Sequence, residues 1–206
     1  MKPADESAPQ ARRLRVLLID DGAHRVQLIR GELARQGHEV VDVIDSATLI
    51  HDCVQRLVPD VVIVDAESPT RDTLENLAAL SAAHPRPVVV FSEDASQDPM
   101  QRALRAGVSA YVVAGLQAQR LEPVLQVAIA RFEQDAALRA ELERAQRQLA
   151  SRRTVERAKG ILMAEAGLDE EQAFGRLRRL AMDRGRRLED VARSIIDARE
   201  LLRPQD

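Results

Sequence analysis

The sequence predicts an α/β fold, a five-stranded doubly wound parallel sheet, followed by a long helix of coiled-coil type and a small three-helix bundle. Three observations carry this reading. Between Leu14 and Val113, short runs rich in valine and isoleucine alternate with segments whose apolar residues recur every three or four positions. After Leu116 the strand signals stop. From Ser151 onward the chain divides into three amphipathic segments, punctuated by Gly167 and Gly185.

The first 13 residues, "MKPADESAPQARR", lack the apolar core of a signal peptide and are expected to form a flexible N-terminus. The strand-like runs are "LRVLLI" (14–19), "EVVDVI" (39–44), "DVVIVD" (60–65), "PVVVFS" (87–92) and "SAYVV" (109–113). Between them, "HRVQLIRGELARQG" and "RDTLENLAALSAAH" read as helices. Parallel neighbours need crossover connections, so this first domain, residues 14–131, should have helices on both faces of its sheet. Residues 132–150 then form a helical linker. In it Leu138, Leu142, Ala145 and Leu149 follow spacings of four, three and four, an apolar seam suited to joining two copies as a homodimer. The alternative is that the seam packs within its own chain.

Residues 151–206 make the last domain. On a helical wheel Val155, Ala158, Ile161 and Leu162 share a face; so do Ala173, Phe174, Leu177, Leu180 and Ala181, and then Leu188, Val191, Ile195, Ala198 and Leu202. Asp169 starts the middle helix, with Glu170 and Glu171 in the first turn, where acids suit the helix dipole. Lys159, Gly160 and Met163 lie off the core face, while Arg176, Arg178 and Arg179 sit on the margins of the apolar arc or outside it.

Composition narrows the function. Single Cys53 and four scattered histidines support neither a disulfide framework nor a zinc site. No apolar run approaches the roughly 18 residues of a membrane span, which with the reducing context points to the cytoplasm and no membrane partner. The net charge of −3 is unevenly spread: residues 151–206 hold 13 basic and 11 acidic side chains, for +2, and the remainder carries −5. "FGRLRRLAMDRGRR" (174–187) holds six arginines against Asp183 alone. That run is either a solvated face or a footprint for a polyanion.

In a doubly wound sheet, functional groups collect at the carboxyl ends of the strands. Asp20 and Asp21 follow the first strand, Asp65 ends the third and Ser92 ends the fourth. Carboxylates converging on one rim repel each other and invite a divalent cation, and Mg2+ prefers oxygen ligands. The arrangement resembles the receiver domain of bacterial response regulators. The resemblance implies an acidic pair at Asp20 and Asp21, a phosphoacceptor at Asp65, a sensing hydroxyl at Ser92 and an aromatic switch residue at Tyr111. The family's lysine and proline after this "YVV" are replaced by Ala114 and Gly115. Without that lysine a phosphoryl group of about −1.5 to −2 charge loses its main cationic partner, which counts against conventional phosphorylation switching.

The C-terminal part, "RAKGILM" followed by "AFGRLRRLAMDRGRRLEDVARSII", resembles the ANTAR domain, a three-helix RNA-binding module of bacterial antiterminators. The full chain resembles the AmiR and NasT group, leaning to the nitrate-assimilation NasT branch. This implies recognition of paired leader-RNA stem-loops and a nitrate-sensing repressor protein as partner. Gly160 interrupts a helix, where glycine costs about 1 kcal/mol relative to alanine. It either ends or kinks that helix or admits another molecule close to the backbone. With Phe174 assigned to the core and only 2% aromatics, base stacking on an aromatic sheet is excluded. The expected RNA contacts are therefore Lys159, Gly160, Met163, Arg176, Arg178 and Arg179. A phosphorylation-dependent DNA-binding regulator, or an interaction module acting by sequestration, is the alternative. An enzyme is not expected, because no nucleophile and base pair, metal cluster or phosphate loop stands out.

Overall fold

The structure is a computed structural model that describes residues 12–20, 22–113 and 117–202. Asp21, Ala114, Gly115 and most of the N-terminal segment lie outside the described residues. Two compact units divide at Ala136/Ala137.

In the first unit, β1 (Arg15–Ile19), β2 (Glu39–Ile44), β3 (Val61–Ala66), β4 (Val88–Ser92) and β5 (Ala110–Val113) form one parallel sheet in the order β2-β1-β3-β4-β5. The connecting helices are α1 (Ala23–Arg35), α2 (Ile50–Leu57), α3 (Arg71–Ala83) and α4 (Gln97–Arg105), and α5 (Ala118–Ala166) follows β5. Successive strand residues point to opposite faces, so the central strands need apolar residues throughout. Leu17, Ile19, Val62, Val64, Val88 and Val90 accordingly pack with residues of α2, α3 and α4. Val16, Leu18, Val61, Ile63, Val89 and Phe91 pack with α1 and the first turns of α5 on the other face. His38 fastens that face: its Nδ1 accepts from the Leu14 amide at 3.3 Å, and its Nε2 lies 2.7 Å from Glu122.

The strand order reverses at β1, whose neighbours β2 and β3 leave a crevice at their carboxyl ends. An open cavity of about 490 Å³ lies there, lined by Asp20, Arg25, Asp65, Glu67 and Thr70 among others. The sheet thus brings Asp20 and Asp65 to one rim.

The second unit contains the rest of α5, α6 (Glu170–Asp183) and α7 (Leu188–Leu202). Its core joins Ala158, Ile161, Leu177, Ala181, Val191, Ala192 and Ile196. Asp169 caps α6 through a reciprocal box with Gln172, with bonds of 2.7 and 3.1 Å. Gly185, at φ 58°, ends α6: its amide bonds to Met182 O at 3.2 Å, and the Arg186 amide to Ala181 O at 3.0 Å. This is a Schellman closure, which needs a left-handed residue and so favours glycine.

Leu138, Leu142, Ala145 and Leu149 lie along α5 and are exposed. Helix α5 continues through Gly160 to Ala166, so Gly160 does not end it. No helix among the described residues is long and apolar enough to cross a membrane.

Candidate functional site

The acidic pocket is built at the ends of β1 and β3. Asp20 and Asp65 are both buried, and Asp20 Oδ1 accepts the Gly22 amide at 2.6 Å. Burial, followed by the charge of Asp20, pushes the Asp65 pKa up from 3.8 to about 6, against the pull of Arg25. Arg25 Nη2 lies 3.3 Å from Asp20 Oδ1, and Arg25 Nε lies 3.4 Å from Asp65 Oδ2. Asp20 Oδ2 and Asp65 Oδ2 are buried oxygens without a hydrogen-bond partner among the described residues. Buried carboxylate oxygens are the donor type that a hard divalent cation takes, so Asp20 and Asp65 fit Mg2+ as ligands.

Ser92 and Tyr111 are brought together a short way along the same rim. The buried Ser92 hydroxyl donates to Glu67 O at 2.9 Å and accepts the Asp94 amide at 3.1 Å. Tyr111 donates its phenolic proton to Asp94 O at 3.2 Å. These bonds tie the loop after β3, which begins two residues past Asp65, to the loop after β4 and to Tyr111. Composition and spacing gave no sign of Arg25, Glu67 or Asp94 as parts of this site. One signal was available for Arg25: a cation in the first turn of a helix opposes the helix dipole and needs a local reason to be there.

In the second unit the structure changes two expectations. Lys159 is not an open cation: its side chain keeps only 8% exposure, and its ammonium bonds to Glu156 (3.0 and 2.9 Å) and Glu170 (2.7 Å). Those bonds hold the Lys159 pKa above its ordinary value. The wheel treats α5 alone and cannot show that the first turn of α6 brings Glu170 over this position. Phe174, assigned to the core arc, is instead 42% exposed. Ala173 and Leu177 fill the core from α6, so the ring between them in the helical pattern is left at the edge.

Phe174, Arg178, Ala181, Met182, Gly185, Arg186 and Leu188 line an open hollow of about 480 Å³. Met182 is 71% exposed, an unusual setting for so large an apolar side chain. Arg176, Arg178 and Arg179 are exposed, and none makes an ion pair among the described residues. Gly160 is exposed on α5, and a Cβ there would meet nothing within 4 Å. Met163 is partly exposed on the same helix.

Comparison with known proteins agrees with both halves. The response regulator receiver domain family matches residues 16–126, and the ANTAR domain family matches 143–196. The chain belongs to the response regulators, in the group that joins a receiver domain to an ANTAR domain. Over 198 residues it is 32% identical to the transcriptional regulatory protein PdtaR of Mycobacterium tuberculosis, an alignment spanning 94% of this chain and 93% of that protein. A shorter likeness, 40% identity over 55 residues, links it to the nitrate regulatory protein of Klebsiella oxytoca, covering 27% of this chain and 14% of that one. Among solved structures, the receiver domain of a modulated diguanylate cyclase from Desulfovibrio desulfuricans G20 superposes with a TM-score of 0.53 at 25% identity. That match covers 60% of this chain and 99% of the other.

Proposed function

We propose that the chain is a non-enzymatic RNA-binding regulator of transcription antitermination, and that it reads unstacked loop bases of paired leader-RNA stem-loops through α6 and the turn after it. The observation that carries this is the hollow in which an exposed phenylalanine and an exposed methionine stand beside Arg178 and Arg186. Sequence-specific RNA recognition favours splayed bases that stack on aromatic rings or guanidinium planes. The unpaired arginines on α6 supply the phosphate contacts that position such a base. Gly160 and Met163 extend the surface on α5, while Lys159, held by Glu156 and Glu170, fixes the start of α6 against α5.

Two linked copies suit two linked hairpins, because tethering raises the effective concentration at the second loop. The exposed seam at Leu138, Leu142, Ala145 and Leu149 would make that homodimer. Leu142→Asp should then lower the mass seen by light scattering and weaken binding to a two-hairpin RNA; an unchanged mass would remove the seam from the account. Asp20 and Asp65, with Asp21 by family resemblance, would hold Mg2+ in the receiver. When bound, that ion would neutralise charge around Asp65. The narrower reading, control of nitrate or nitrite assimilation with a nitrate-sensing repressor as partner, has the 55-residue likeness for support.

The test is titration of the full chain against a two-hairpin RNA and against duplex DNA of matched length. RNA should be preferred. Phe174→Ala should weaken RNA binding by about 1–3 kcal/mol, the range for loss of a base–aromatic stack. Parent-like affinity in Phe174→Ala, or equal binding to duplex DNA, would contradict the reading.

A further inference from the structure

The acidic pocket holds a cation of its own. Arg25 is the third residue of α1, and its guanidinium folds back to bridge two buried carboxylates, Asp20 and Asp65, at 3.3 and 3.4 Å. The helix does not favour it there, because the first turn carries the positive end of the dipole. The carboxylates hold it in place, and Gly22 leaves the room. A Cβ on Gly22 would stand 3.1 Å from Arg25 Nε, 3.2 Å from Arg25 Nη2 and 3.1 Å from Asp20 Oδ1, closer than an ordinary contact. The Arg25 side chain nevertheless keeps 38% exposure, so one side of it remains open to solvent.

We propose that Arg25 is a tethered counter-ion occupying the space between Asp20 and Asp65 that a divalent cation needs, so that Mg2+ enters only as the guanidinium swings out. Both cations draw on the same two carboxylates. Mg2+ requires its oxygens at about 2.0–2.1 Å in near-octahedral order, which a guanidinium lodged against Asp20 Oδ1 and Asp65 Oδ2 obstructs. Two positive groups that share the same two carboxylates also repel each other at close range. In this arrangement one of the two carboxylate charges is offset from within the receiver. Loading with Mg2+ becomes an exchange of one cation for another, and the freed Arg25 is left at the surface. This inference is independent of RNA recognition.

Mn2+, which reports its own binding by electron paramagnetic resonance, is titrated into the full chain and then displaced with Mg2+. Arg25→Met keeps the side-chain stem and removes the charge. It should bind Mn2+ at least about tenfold more tightly than the parent, because no like charge has to leave. In metal-free buffer it should melt below the parent, and Mg2+ should raise its melting temperature more than the parent's. Arg25→Gln carries the same expectation if Arg25→Met does not fold, and a variant that folds only when Mg2+ is supplied supports the exchange. Mn2+ affinity equal to or weaker than the parent's in these variants would overturn it, as would equal stabilisation of parent and variant by Mg2+.

Discussion

Arg25 and the arginines of α6 are the same residue type in opposite electrostatic settings. Arg25 bridges two buried carboxylates of its own domain, and its charge is spent within the fold. Arg176, Arg178 and Arg179 project from α6 with no acidic partner among the described residues, although the chain as a whole is acidic, with a net charge of −3. The difference teaches that local pairing, more than net charge, separates a cation that shapes a site from one that awaits a polyanion. Lys159 repeats the lesson within the second unit. It belongs to the same "RAKG" stretch as exposed Arg157 and Gly160, yet it is buried between two glutamates.

The largest expected effect breaks the comparison on the receiver side. Asp65 has its pKa raised from 3.8 to about 6, first by burial and then by Asp20. A carboxyl raised in this way contributes stability that is fully present below its unfolded pKa and lost as pH rises through its folded pKa. A shift of this size corresponds to at most roughly 3 kcal/mol, and solvent in the open pocket screens part of it. Relative to Asp65→Asn, the parent should therefore lose up to about 3 kcal/mol in urea unfolding in metal-free buffer between about pH 4 and pH 7. A difference running the other way would mean that Arg25 outweighs burial.

A smaller effect sharpens the comparison on the RNA side. Because a Cβ at Gly160 meets nothing and α5 runs through that position, Gly160→Ala should raise stability by up to about 1 kcal/mol in thermal melting. Gly160→Leu should melt no lower than the parent while weakening RNA binding at every salt concentration. If it binds RNA as the parent does, the glycine is not part of the contact surface.

How much of this was legible in the sequence follows from where each signal resides. Strands buried on both faces must be apolar throughout, so "DVVIVD" and "PVVVFS" marked β3 and β4 to within a residue. The start of α6 was legible because a cap is a local device: Asp169 and Gln172 are three positions apart. Lys159 and Phe174 were misjudged because their settings depend on neighbours that periodicity does not contain. Glu170 reaches Lys159 from another helix, and the hollow beside Phe174 is shaped by Gly185 and Leu188 beyond the end of α6. Arg25 was missed for a similar reason. A guanidinium folding back past a glycine onto two strand ends leaves no periodic trace.

The central claim, that unpaired arginines on α6 face RNA while the paired Lys159 serves the fold, is tested most directly by the salt dependence of RNA affinity. Removing one cation that neutralises a phosphate should flatten the slope of log affinity against log salt by about 0.7 for single-stranded segments. The double variant Arg178→Ala/Arg179→Ala should lower that slope by roughly 1.4 with little change in melting temperature. Lys159→Met should do the reverse, lowering the melting temperature and leaving the slope as it is. A flattened slope in Lys159→Met together with an unchanged slope in the double arginine variant would contradict the account.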